Sequence, residues 1–290
     1  MKFAGIIAEY DPFHNGHAWQ LAQAKALGAE RVAVAMSCSL VQRGALPLLP
    51  EAVRTRSALT CGADLVFALP APCACAGAEA FARAGVALLA AAGCDGLVFG
   101  AETPDAALLM EAAELLDSGS YRAALKAQLA GGARSFAAAR QSAAAQLASD
   151  ERVAALLDKP NNNLAVEYCR AIRSLAPRME AYPLPRQGAN HGEALHSAHG
   201  QFASASALRK LWAEGGADAV APYVPEAVFP LYQEAYAAGQ YTDFSAAGRC
   251  ELALLRSACR GKAPFADIRG VSEGLEHRLE AAEIGRASCR

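Results

Sequence analysis

The sequence is poor in charge and in aromatic residues. Charged residues fill 19% of its 290 positions and aromatics 7%, and the formal net charge is −2. Disorder requires low hydrophobicity and high net charge, so a chain that is 53% apolar and nearly neutral is excluded from that class. Neither sign of charge is in excess, with 27 Lys and Arg against 29 Asp and Glu. Any nucleic-acid contact must therefore use a local basic patch. Long hydrophobic runs are missing too. The longest charge-free apolar run, Leu65 to Ala78, carries Pro70 and Pro72, whereas a membrane-spanning helix needs about 20 apolar residues. No membrane partner is expected. Met1 to Ala8 holds one lysine and a short apolar run before Glu9, which is not the pattern of a secretory leader. Paired cysteines are also lacking. The nine cysteines are odd in number and scattered through apolar contexts, so they read as free thiols of a cytoplasmic protein. Cys73 and Cys75 stand closer than a usual zinc pair, with no second pair nearby, and no metal site is expected.

What remains is ample apolar material in a length that suits one large domain or two ordinary ones. Short apolar runs at Phe3 to Ala8, Arg31 to Ser37, Asp64 to Leu69, Gly96 to Gly100 and Met179 to Leu184 read as buried parallel strands. Between them, helices are predicted over Gly16 to Leu27, Glu51 to Cys61 and Ala78 to Ala92, closed by Gly28, Gly62 and Gly93. Asn15 is the expected N-cap of the first helix. This alternation with short links predicts an α/β fold, a Rossmann-like doubly wound parallel sheet. Such sheets bind ligands at the carboxyl ends of their strands. Thr103 to Asp158 is alanine-rich and reads as a helical insertion, and Lys159 to Asn163 reads as a loop that starts another helix. Gly188 to Gln201, with three His and three Gly, reads as a flexible loop. Ser204 to Ala213 starts a helix, and the chain is expected to be helical from Pro222 onward.

The sharpest signal is His14-Asn15-Gly16-His17 at the first strand-to-helix turn. Gly16 lets backbone approach a ligand. Two histidines three residues apart share one side of a helix N-terminus, where unpaired N–H groups and the positive dipole end suit phosphate. Imidazoles there can donate to phosphate oxygens as charge builds in a transition state. A metal pair or two incidental surface histidines would be the plainer readings. A second signal is Ser204-Ala205-Ser206-Ala207-Leu208-Arg209. The serines could simply cap a helix. Beside the histidine motif, they and the helix N–H groups would instead hold the β- and γ-phosphates, with Arg209 neutralising charge.

Together these motifs resemble the HxGH nucleotidylyltransferase superfamily. Longer strings narrow the resemblance: Glu9-Tyr10-Asp11-Pro12-Phe13-His14-Asn15-Gly16-His17, Val41-Gln42-Arg43-Gly44, Arg54-Thr55, Gly62-Ala63-Asp64-Leu65-Val66, Phe99-Gly100-Ala101-Glu102, Pro160-Asn161-Asn162 and Ser272-Glu273-Gly274-Leu275-Glu276. In order and content they are similar to the bacterial tRNA(Met) cytidine acetate ligase family. The resemblance implies a ligase that activates acetate with ATP as acetyl-adenylate, releases pyrophosphate, and passes the acetyl group to N4 of the wobble cytidine of elongator tRNA(Met). It implies ATP along Ile7, Ala8, Glu9, Tyr10, Asp11, Pro12, Phe13, His14, Asn15, Gly16, His17 and Gln20, with Gly100, Asn161, Asn162 and Arg186 as further contacts. His14, His17, Ser204, Ser206 and Arg209 would be the catalytic set, and Mg²⁺ would accompany ATP. Gly100 could be only a strand-end turn, and Asn161 and Asn162 only helix caps. His191, His196 and His199 read as solvated. Two other functions share the short motifs: a small-molecule adenylyltransferase of cofactor biosynthesis, and a non-catalytic nucleotide- or RNA-binding protein.

Residues 1–215 would form the nucleotidylyltransferase-like domain with its insertion at about 103–160, and residues 216–282 an incomplete helical C-terminal region. Residues 283–290 resemble a translated sequencing adapter and are expected to be a non-native tail. The sequence departs from the family pattern at Asp11, where Asn is usual. A carboxylate there would repel phosphates unless a cation bridges it. Ser37-Cys38-Ser39-Leu40 stands where Ser-Gly-x-Phe is usual, and Glu51-Ala52 replaces a Lys-aromatic pair.

Overall fold

The computed structural model describes residues 1–132, 135–185, 195–197 and 200–260, with the single positions 265, 268, 271, 276 and 277. Five strands form one parallel sheet: β1 (Phe3–Ala8), β2 (Arg31–Ser37), β3 (Leu65–Leu69), β4 (Gly96–Ala101) and β5 (Glu180–Pro185), in the order β3-β2-β1-β4-β5. The expected strands lie within a residue or two of these bounds. The reason is visible in β2, where every residue from Val32 to Ser37 is buried. Ala33 and Ala35 face one layer, and Val32, Val34 and Met36 face the other. A strand covered on both sides must be apolar throughout, so its run stands out in the sequence.

One layer holds α4 (Ala78–Ala91), the helical insertion and α9 (Pro160–Leu175). The insertion comprises α5 (Ala106–Asp117), α6 (Gly119–Ala130), α7 (Phe136–Leu147) and α8 (Glu151–Leu156). The other layer holds α1 (Asn15–Ala26), α2 (Glu51–Thr60), α10 (Ala205–Gly215), a 3-10 turn (Asp218–Tyr223) and α11 (Phe229–Ala237). A short helix, α3 (Ala71–Ala74), follows β3. Gly85 of α4 packs against β1, where a Cβ would stand 2.5 Å from Ile7 Cδ1. No helix among the described residues is long and apolar enough to cross a membrane.

Two expectations change. Gly188 to Gln201 is not all loop. Leu195–Ser197 (β6) pairs antiparallel with Gly200–Phe202 (β7), and Phe202 is buried. Composition alone reads this stretch as a polar loop, because the pairing is made by backbone groups that carry no residue identity. The first compact unit also runs beyond residue 215, to Tyr241. Val220, Val224, Val228 and Tyr232 are buried in the same cluster as Ile6 and Val34, so their apolar spacing serves the main core. A second unit begins at Thr242 and contains α12 (Phe244–Arg260), which opens with the Asp243 carboxylate accepting from the amides of Ser245 and Ala246.

Candidate active site

The strand order reverses at β1, since β2 and β3 extend to one side and β4 and β5 to the other. The crevice at such a switch point is the usual ligand site of an open α/β sheet. A cleft of about 280 Å³ opens there, at the carboxyl ends of β1, β4 and β5. It brings together residues that are far apart in sequence: Ile7, His14, Gly16, His17 and Gln20 from the first motif, Gly100, Asn161, and Ser204 from the second.

The start of α1 depends on its histidines. The N-cap is His14, not Asn15. His14 Nδ1 accepts from the Gly16 amide at 3.0 Å, and His17 Nδ1 accepts from the His14 amide at 3.3 Å, a reciprocal cap built from two imidazoles. The two rings stack with centroids 3.8 Å apart. Because a backbone N–H occupies each Nδ1, the neutral rings carry their protons on Nε2. Both Nε2–H groups are thereby fixed as donors. Gly16 leaves room for the His14 ring in this position, since a Cβ there would stand 2.9 Å from His14 Cε1 and 3.0 Å from His14 Nδ1. Asn15 is buried and turned away, donating to the carbonyls of Gln201 at 3.0 Å and Pro222 at 3.2 Å. Gln20 Nε2 donates to the Val98 carbonyl at 3.1 Å, which fixes α1 to β4.

Behind the histidines lies the turn Glu9 to Phe13. Tyr10 adopts φ +50, in the left-handed region, and the Asp11–Pro12 peptide is cis. Tyr10 and Phe13 are buried and pack on His17 with centroids at 4.8 and 5.6 Å. The buried Tyr10 hydroxyl finds no hydrogen-bond partner among the described residues, and burial pushes its pKa well above the ordinary phenol range. Asp11 does not confront phosphate with a bare charge. Its side chain is 1% exposed, accepts from the Leu48 amide at 2.6 Å, and pairs with Arg43 at 2.5 Å and Arg209 at 3.2 Å. The cations that offset it belong to the protein itself. Glu9 is likewise engaged, accepting from the Gln42 amide at 2.7 Å. Burial lowers the pKa of Arg209 and the Asp11 carboxylate opposes that shift. Ala8 ends β1, and Pro12 is buried within the turn.

The second motif starts α10. Ser204 is its N-cap, accepting from the Ala207 amide at 3.2 Å, and its Oγ lies 3.0 Å from Ser206 Oγ. Ser204 is thus a cap and a cleft residue at once. Ser206 is exposed two residues on, and Arg209 donates from Nη1 to the Asp11 carbonyl at 2.6 Å. The two adjacent asparagines separate. Asn161 lines the cleft and donates to Glu102 Oε1 at 2.6 Å. Asn162 is buried and tied to Thr103, accepting from its amide at 2.9 Å and donating to its hydroxyl at 3.1 Å. Glu102 also accepts from the Asn162 amide at 2.7 Å, placing a carboxylate at the start of α9. Arg186, His191 and His199 lie outside the described residues, as does most of the Ser272 to Glu276 string.

Sequence reasoning assigned no role to the apolar wall of the cleft, Trp19, Phe99, Leu164, Tyr168 and Leu184, although Phe99 stood in a quoted string. Phe99 and Tyr168 meet with ring centroids 5.4 Å apart. An apolar wall facing polar groups suits a nucleobase or another largely apolar ring. Sequence reasoning quoted Arg54 in a family string but gave it no role; it is fully buried in α2. Its guanidinium donates to the carbonyls of Leu49 at 3.0 Å, Glu9 at 2.8 Å and Ser37 at 2.6 Å, and also to that of Cys38. It joins the exits of β1 and β2. Burial and the neighbouring Glu51 push the Cys38 thiol up to about 11. No group of three or more His, Cys, Asp or Glu is arranged to hold a metal ion among the described residues.

Comparison with known proteins gives this geometry a family. The profile described as HIGH Nucleotidyl Transferase matches residues 1–288. The tRNA(Met) cytidine acetate ligase of Syntrophotalea carbinolica is 37% identical over 290 residues, covering 99% of this chain and 68% of that protein. Its namesake from Caldanaerobacter subterraneus subsp. tengcongensis is 34% identical, covering 97% and 70%. Two crystal structures of Thermotoga maritima TmcAL superpose well. The form bound with alpha-thio ATP has a TM-score of 0.84 at 30% identity, and the apo form 0.85 at 31%, each covering 97% of this chain and 67% of the other. The chain belongs to the HIGH nucleotidyl transferases and, within them, to the tRNA(Met) cytidine acetate ligase family.

Proposed function

We propose that this chain activates acetate with ATP and transfers the acetyl group to N4 of the wobble cytidine of elongator tRNA(Met). The observation that carries this reading is the reciprocal histidine cap, which holds two Nε2–H donors at the mouth of a switch-point cleft. In the first step an acetate oxygen attacks the α-phosphorus of ATP, a new P–O bond forms, and the bond to pyrophosphate breaks. Negative charge grows on the phosphoryl oxygens and the leaving group. His14 and His17 meet the first with their Nε2–H groups. The α10 N-terminus with Ser204 and Ser206 meets the second, backed by the charge of Arg209. Preorganised donors of this kind need no rearrangement as charge develops. No general base is required, because a simple carboxylic acid is ionised at neutral pH.

In the second step the cytidine N4 attacks the acetyl carbonyl. The C–N bond forms, the anhydride C–O bond to AMP breaks, and the N4 proton leaves to solvent or phosphate. Asn161, Gly100 and the Phe99–Tyr168 wall would position the nucleoside of ATP, with Arg186 as a further contact. Asn162 and Asn15 would act through the scaffold, as their hydrogen bonds are already directed into it. Mg²⁺ would arrive on the phosphates of ATP as part of the substrate. Asp11 does not fit a metal role, because its carboxylate is filled by two arginines and an amide. ATP, tRNA and reduced thiols fit a cytoplasmic setting.

The test is transfer of labelled acetate to elongator tRNA(Met) in the presence of MgATP, followed by nuclease digestion and mass analysis of the nucleosides. The expected product is N4-acetylcytidine at the wobble position, formed at no other cytidine. Label on another carboxylate-accepting molecule, with tRNA unmodified, would overturn the reading.

A further inference from the structure

The turn that leads into the two histidines is gripped at alternate carbonyls by side chains of three different helices. Arg54 of α2 donates to the Glu9 carbonyl at 2.8 Å, Arg209 of α10 to the Asp11 carbonyl at 2.6 Å, and Tyr232 of α11 to the Phe13 carbonyl at 2.7 Å. These donors come from positions 45, 198 and 219 residues along the chain. The third is closest to the chemistry, since Phe13 immediately precedes His14, whose amide and ring make the reciprocal cap. Tyr232 itself is fully buried, with its ring against Trp212 at 5.9 Å. Burial raises its pKa far above the ordinary phenol range, so the hydroxyl keeps its proton as a donor. The Phe13 ring is also fully buried and packs on His17. The segment Tyr10 to Phe13 contains a left-handed residue and has no helical or strand pairing of its own. Its position is therefore set by side chains from outside it.

We infer that Tyr232 is a positioning residue for the adenylation step, acting through the Phe13 carbonyl to hold the His14–His17 pair in register with the α-phosphate. This rests on the cleft being an adenylation site. The hydroxyl touches no reacting atom. Its effect should fall on the rate of the chemical step, because misplacing a catalytic group by about an ångström costs on the order of a hundredfold. It should fall little on ATP affinity, which the cleft walls, the α10 N-terminus and Asn161 supply independently.

The experiment uses the full chain as Tyr232→Phe, with Trp212→Phe and His17→Ala beside it. Acetate-dependent pyrophosphate release gives kcat and KM for ATP, a melting curve gives stability, and ¹⁵N spectra of the imidazoles give the histidine tautomers. Tyr232→Phe keeps the ring and its packing, so the fold should survive. The expected result is kcat down by roughly tenfold or more, KM for ATP within about twofold, and loss of the uniform Nε2–H tautomer at His14. Trp212→Phe disturbs the same aromatic cluster without touching the Phe13 carbonyl, and should leave the imidazole spectrum unchanged. An unchanged kcat in Tyr232→Phe, with His17→Ala inactive, would overturn the positioning role alone. So would a loss of kcat matched by Trp212→Phe at equal melting temperature with unaltered tautomers. Full activity of His17→Ala would instead overturn the adenylation reading beneath it.

Discussion

Gly16→Ala separates the folding role of the first helix from its chemical role. The new Cβ would stand 2.9 Å from His14 Cε1 and 3.0 Å from His14 Nδ1. Both atoms belong to the ring of a movable side chain, so the clash is relieved by turning the ring, at little cost to the fold. The turned ring loses the Gly16 amide as a partner, and loss of an N-cap bond costs about 1 kcal/mol. Replacing Gly by Ala inside a helix returns about the same amount. Net stability should therefore stay within about 1 kcal/mol of the parent, read as a melting shift of roughly 4 °C or less. Activity should not stay. A donor aimed at a developing phosphoryl charge is worth about 2.7–4 kcal/mol, or 10²–10³ in kcat. The assay is pyrophosphate release from MgATP with and without acetate, alongside a thermal melt. A kcat within about threefold of the parent, in a protein that melts normally, would refute the claim that the ring position set by Gly16 matters to the chemistry.

Other variants should divide in the same way. Asn161→Ala should raise KM for ATP with little change in stability, whereas Asn162→Ala should destabilise by about 1–3 kcal/mol through its lost Thr103 bonds and lower the melting temperature; paired kinetics and melts check both. Arg54→Met should destabilise by about 3 kcal/mol or more in urea, because it strands buried carbonyls at Glu9, Ser37, Cys38 and Leu49. Asp11→Ala should be worse for stability than Asp11→Asn, since it leaves Arg43 and Arg209 without any acceptor on that side chain. Burial raises the Cys94 and Cys169 thiols from 9.0 to about 12. Their stabilising contribution is fully present below about pH 9 and is lost as pH rises toward 12, which urea titrations at stepped alkaline pH would follow.

The parallel sheet was legible because its strands are buried on both sides. Val32 to Met36 and Leu97 to Phe99 have no polar face to blur the run. The stop at Gly93 marked the end of α4, whereas only the start of α9 was read, near Lys159 to Asn163. The histidine and serine motifs were readable because their spacing on a helix N-terminus is chemical as well as structural. Asn15 misled because it is an excellent N-cap by type, and only the structure shows the imidazoles of His14 and His17 taking that place. Asp11 looked like an obstacle because its compensating cations are 32 and 198 residues away. The roles of Arg54, quoted only as part of a string, and of Tyr232 were silent for a different reason. Their partners are backbone carbonyls, which carry no residue identity, so nothing in the spacing of side chains could reveal them. Tyr168 was hidden as one apolar residue among many on a helix that packs into the core.

The most direct test of the central claim is acetate-dependent exchange of labelled pyrophosphate into ATP, without tRNA, comparing the parent chain with His17→Ala. Reversible adenylation at the His14–His17 cleft predicts exchange that requires acetate and Mg²⁺ and that falls by at least a hundredfold in the variant. Exchange that ignores acetate, or that survives in His17→Ala, would contradict it.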